Sequence, residues 1–176
     1  MKLSRIGLLA GLALLGTPMP PTRALAEGPG ADTVKAGFVY NFSKFVEWPA
    51  SALGGGSFQL CVAGQALDGR LAQLQGRLSQ GREIQVRAVG TASDLTNCHM
   101  LFIGANEERR LNAFLGQVAG YPVLTVSDVG EFAEYGGMIG LTVSSDRVGF
   151  TINLASTRAA GLKPSAQLLR LGKVLP

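Results

Sequence analysis

The 176-residue chain has little with which to do chemistry. It contains one histidine, two cysteines and one tryptophan, and only 16% of its residues are charged. A single histidine leaves few ways to build a nucleophile–base pair. That residue, His99, directly follows Cys98, and neighbours on a strand point to opposite faces. No G-x-S-x-G elbow occurs. Gly54-Gly55-Gly56 lacks the lysine and hydroxyl residue of a phosphate-binding loop, so it reads as a flexible connector. Cys98-His99-Met100 offers soft and imidazole ligands. One strand cannot turn all three toward one metal, so neither a metal nor another cofactor is expected. Glu107 and Glu108 suit a helix N-terminus, and Glu131 and Glu134 do not read as a catalytic pair. The chain is not expected to be an enzyme.

Charge of one sign is also scarce once its location is considered. The net charge is +4. Lys2, Arg5 and Arg23 supply most of it, and they lie in a segment with no acidic residue. Residues 6–15 are an apolar run, and the segment ends Ala24-Leu25-Ala26. This is the layout of a cleaved secretory signal, predicted to span residues 1–26. The remainder, residues 27–176, is nearly neutral and is expected to form one exported domain without a nucleic-acid surface. No run in it approaches the about 20 apolar residues that span a bilayer, so direct membrane insertion is not expected.

What is present is regular alternation. Apolar spacing predicts helices over 32–47, 67–74, 107–118, 155–160 and 165–174, with Asp32 as the first N-cap. In the first helix Val34, Phe38, Phe42, Phe45 and Val46 would form the apolar face. Strands are predicted over 58–63, 83–89, 100–103, 123–126, 138–143 and 148–154, with a helical turn at 132–135. Strands alternating with helices imply a three-layer α/β domain: a mostly parallel sheet with helices on both faces. Residues 144–147 read as the turn of a C-terminal antiparallel hairpin, placed at the sheet edge.

An exported chain with two cysteines has one pairing available, Cys61 with Cys98. Closing that loop is worth about 4 kcal/mol in the chain-entropy model. A permanent staple, a reversible redox sensor and two free thiols all stay open at this level.

Several segments together resemble the YfiR/HmsC family of periplasmic regulators. They are KAGFVYNFSKFVEWP at 35–49, LCVAG at 60–64, NCHMLFI at 97–103 and LTVSD at 124–128. Phe132, GGMI at 136–139, FTINL at 150–154 and LLRL at 168–171 follow in order. The resemblance implies a non-enzymatic repressor that binds the periplasmic sensor domain of an inner-membrane diguanylate cyclase. Repression would lower cyclic di-GMP and biofilm formation. A second copy of the chain, forming a homodimer, is a further partner to consider. The motifs nominate Phe132, Gly136, Gly137, Met138, Phe150 and Asn153 as partner-binding residues, although the same residues also suit turns and core packing. Trp48 is a seventh candidate only if exposed as an anchor, burial being the reading placed ahead of it. Two departures stand out. The family often carries glutamate where this chain has Thr151, and some members have a second cysteine pair that is absent here. The alternative function is a periplasmic small-molecule sensor.

Overall fold

The computed structural model describes residues 30–145 and 147–176. The expected signal segment, residues 1–26, and Asp146 of the expected turn lie outside the described residues.

Helix α1 (Ala31–Phe45) opens the domain and runs into β1 (Val46–Glu47). The cap position belongs to Gly30, not Asp32, and no side chain caps the helix. Asp32 sits in the first turn, where a carboxylate favours the helix dipole. The helix stops before Trp48-Pro49, because a residue preceding proline is pushed out of helical space. Its buried stripe is Ala36, Val39, Phe42 and Ser43, so the helix is turned slightly from the Val34, Phe38, Phe42, Phe45 and Val46 face read in the sequence.

The sheet then builds in alternation. Strand β2 (Phe58–Ala63) leads through a 3-10 segment (Leu67–Leu74) to β3 (Leu78–Ser79) and β4 (Arg82–Val89). Strand β5 (Met100–Ile103) leads through a second 3-10 segment (Ala105–Arg110) into α2 (Leu111–Val118) and β6 (Leu124–Ser127). A turn-rich crossover reaches β7 (Ile139–Ser144), which pairs back with β8 (Arg147–Asn153). The chain closes with α3 (Leu154–Ala159), β9 (Lys163–Pro164), α4 (Ala166–Leu169) and β10 (Lys173–Leu175).

Eight strands lie in the order β10-β8-β7-β6-β5-β2-β4-β3, and β1 pairs separately with β9. The β2, β4, β5, β6 and β7 contacts are parallel, while β3–β4 and β7–β8 are antiparallel. Alternation in the strands divides the core in two. Phe58, Leu60, Met100, Phe102, Leu124 and Val126 face α1. Cys61, Ala63, Leu101 and Ile103 face α2 with Leu111, Phe114 and Val118. The three-layer expectation therefore holds.

Three expectations need correction. The helix read over 165–174 is one short turn, α4, followed by a strand. Gly172 allows this, since a Cβ there would come within 3.0 Å of the Phe150 carbonyl oxygen and strike the Phe150 ring. Strand β10 can then pair in parallel with β8, Lys173 opposite Thr151 and Leu175 opposite Asn153. The hairpin is consequently not the sheet edge, because β10 lies outside it. The helix predicted over 107–118 is split between a 3-10 start and α2.

Candidate functional site

Sheet coverage is uneven. Strands β5 and β6 are buried at every residue, whereas the outer half of β7 is exposed. On the face that carries Phe132, the residues of β7 and β8 are small: Gly140 opposite Thr151, and Thr142 opposite Gly149. They floor a trough of about 410 Å³. Glu131 and Glu134 of the crossover rim one side, Leu171 and Lys173 the other. Lys173 Nζ reaches Glu134 Oε1 at 3.6 Å across the rim. Leu171 on the rim is 68% exposed, and Tyr135 of the crossover is 64% exposed. The Tyr135 hydroxyl donates to Glu131 Oε2 at 3.1 Å. That hydrogen bond, with the nearby negative charge, raises the phenol above its ordinary value.

The residues nominated from the motifs lie beneath and around this trough. Phe132 and Phe150 are buried, Phe132 wholly so, and both contribute to its walls. Gly137 is required by that packing, since a Cβ on it would overlap the Phe132 ring. Met138 is buried, and its N–H donates to Thr125 Oγ1 at 3.0 Å. Gly136 takes a left-handed φ of 95° and its carbonyl accepts from Ser156 Oγ. Asn153 caps α3 by accepting from the Ser156 N–H, and its Nδ2 donates to the Ala133 carbonyl at 2.8 Å. The set is thus brought together, but as the support of a surface. Phe132, Met138 and Phe150 offer no exposed side chain to a partner.

Trp48 belongs elsewhere. Its ring is buried edge-on against Phe58, 5.2 Å between centroids, and Nε1 donates to the His99 carbonyl at 3.1 Å. This overturns the exposed-anchor reading. His99 is held at both nitrogens. Nδ1 accepts from the Gln59 N–H at 2.8 Å, so the proton resides on Nε2 and donates to the Ala52 carbonyl at 3.1 Å. Burial pushes its pKa below the ordinary value, only partly opposed by the Ala52 bond.

Cys61 and Cys98 form a disulfide, with Cα atoms 5.9 Å apart and a sequence separation of 37. Both residues are buried. Cys61 comes from β2, and Cys98 lies two residues before the start of β5, the adjacent strand. Arg87 lies over the bond, its Nη2 3.5 Å from Cys61 Sγ and 3.6 Å from Cys98 Sγ. With Cys98 crosslinked and both His99 nitrogens engaged, this segment has no set of free ligands to offer a metal. Among the described residues, no helix is long and apolar enough to cross a membrane.

The YfiR/HmsC-like family model matches residues 32–173. The chain belongs to this family. Membership makes sense of how its separated motifs meet. Lys35, in the opening segment, donates to Asp128 Oδ2 at 3.0 Å, joining α1 to the end of the LTVSD strand. Phe38 and Phe42 pack against Phe150 with ring centroids 5.2 and 5.0 Å apart. The signature helix is therefore tied to the same hairpin that floors the trough. Thr151 lines the trough and is buried there. The sequence reading passed over Thr142, Gly149, Leu171 and Lys173. Alternating glycine and threonine in two paired strands was the available signal, visible only once their register is known.

Proposed function

We propose that the chain is exported by cleavage of residues 1–26 and that residues 27–176 act as a periplasmic, non-enzymatic regulator. In this reading it binds the periplasmic sensor domain of an inner-membrane diguanylate cyclase and holds cyclic di-GMP low. Membership of the YfiR/HmsC-like family over residues 32–173 carries the proposal. The disulfide supports it, because such bonds persist in oxidising compartments. The trough supports it as the contact surface. A sheet face left uncovered, floored by Gly140, Thr142, Gly149 and Thr151, admits side chains from another protein. Repression then requires that the regulator bind the cyclase's inactive state more tightly than its active state. With Thr151 in place of glutamate, that contact relies on shape and on the Glu131, Glu134 and Lys173 charges of the rim.

The test is deletion of the gene with measurement of cyclic di-GMP, paired with affinity capture by the sensor domain of a cyclase from the same cell. Raised nucleotide and a captured complex are expected. Unchanged nucleotide together with no captured complex would reject the reading.

A further inference from the structure

At the carboxyl ends of the central parallel strands, the chain leaves β2 toward β4 on one side, then returns to build β5 on the other. The loops after β2 and β5 therefore diverge, and such reversal points open crevices at the carboxyl ends of parallel strands. Here the crevice is a cavity of about 640 Å³, within the range that accommodates small organic ligands. Its apolar lining includes Val62, Leu67, Leu71 and Val86.

The polar lining is one-sided in charge. Asp32, Asp68 and Asp128 all border the cavity. Lys35 is shared between two of them: its Nζ lies 3.0 Å from Asp128 Oδ2 and 3.5 Å from Asp32 Oδ1. Asp128 Oδ1 also accepts from the Ala105 N–H at 3.0 Å. Asp68 has no ion pair or hydrogen-bonding partner among the described residues. Leu67 and Asp68 hold φ of 49° and 46°, a left-handed pair without glycine. Such strain persists where surrounding structure imposes it, and it commonly accompanies ligand clamps. Close by, Gly64 and Gly104 leave room that the Asn106 amide occupies, for a Cβ on either would strike it. Gln65 and Asn106 present amides to the cavity that are unpaired among the described residues.

The geometry points to a binding site for a small organic cation, an amine carrying an apolar body. The apolar floor takes the body, the Asp68 carboxylate takes the ammonium, and the two amides orient it. This site is separate from the trough and does not depend on the cyclase reading.

The experiment uses purified protein with its disulfide intact and phenethylamine as the probe. The isosteric alcohol, 2-phenylethanol, and the anion 3-phenylpropionate are the controls. Amide chemical shifts of Gly64, Gly69, Ala105 and Asn106 are followed on titration. Saturable shifts are expected with the amine binding more tightly than the alcohol, and the alcohol more tightly than the anion. Asp68→Asn is expected to weaken the amine about fivefold while leaving the thermal midpoint unchanged, since Asp68 is exposed and unpaired. Val86→Trp, which fills the floor, should abolish the shifts. Three results would each overturn the site. The first is no saturation at millimolar amine. The second is equal binding of amine, alcohol and anion. The third is saturable shifts confined to other residues.

Discussion

The two halves of the sheet differ in how many faces they bury. Strands β2, β5 and β6 are packed between α1 and α2, and a disulfide crosslinks β2 to the entry of β5. Strands β7 and β8 pack on α1 through Phe150 and Ile152, but much of their other face is an open trough of small residues. Burial on both faces produces a rigid wall whose central residues serve packing, the proposed amine cavity being confined to the carboxyl ends of its strands. Burial on one face leaves backbone and small side chains accessible to something outside the chain. The first half is stability; the second is available for recognition.

The comparison is tested hardest by cutting into the closed half. Phe102→Ala removes a fully buried ring at the centre of β5. It should cost about 3–5 kcal/mol, read as a lower urea midpoint. If Phe102→Ala cost no more than a surface change, the closed half would not be the stabilising one. Next in size is the crosslink. Replacing Cys61 and Cys98 together with serine should lower stability by about 2–4 kcal/mol, measured by the same unfolding curves. A double variant that remains stable yet loses control of cyclic di-GMP would turn the staple into a switch.

A smaller effect is expected from His99, which ties the loop before β2 to the entry of β5. The fold keeps this residue neutral, with its pKa lowered chiefly by burial. The unfolded chain therefore takes up the proton first as pH falls through the ordinary value of about 6.5. Its contribution is fully present above that value and is lost as pH falls from there toward the lower folded value. Unfolding midpoints of the protein and of His99→Gln, compared between about pH 7.5 and about pH 5, should show the steeper loss in the protein with histidine. Parallel curves would mean that His99 titrates alike in both states.

The smallest stability effect belongs to the open half. Thr142 is exposed on the trough floor. Thr142→Trp should change stability by no more than about 0.5 kcal/mol while eliminating capture of the cyclase sensor domain. Undiminished capture would move the contact away from the trough and undo the division of labour between the halves.

The same contrast explains what was legible before the fold was known. Strand β5 was readable from MLFI alone, because a strand buried on both faces is a continuous apolar run. The β2 strand and the α1 helix were readable for similar reasons, one from length and one from helical spacing. The ending 165–174 was misread because Leu168, Leu169 and Leu171 sit at helical intervals. Only the unpaired edge of β8 and the close approach allowed by Gly172 make residues 173–175 a strand. Phe132, Met138 and Phe150 were identified as belonging together, with core packing weighed beside partner contact, and the structure buries all three. Apolar residues at a contact and in a core look alike until something covers them.

By itself the sequence determined the alternation of strands and helices, the one disulfide available, the poverty of catalytic groups and the family. These depend on local spacing, residue identity and chain order, which are properties of the chain before it folds. The tertiary structure decided that β10 closes the sheet, that Trp48 is buried, and that small residues on β7 and β8 meet to form a trough. It also placed three carboxylates around a cavity at the ends of β2 and β5. Each of these depends on segments distant in sequence coming into register. Register is set by which faces bury apolar surface together, and no single segment carries that information.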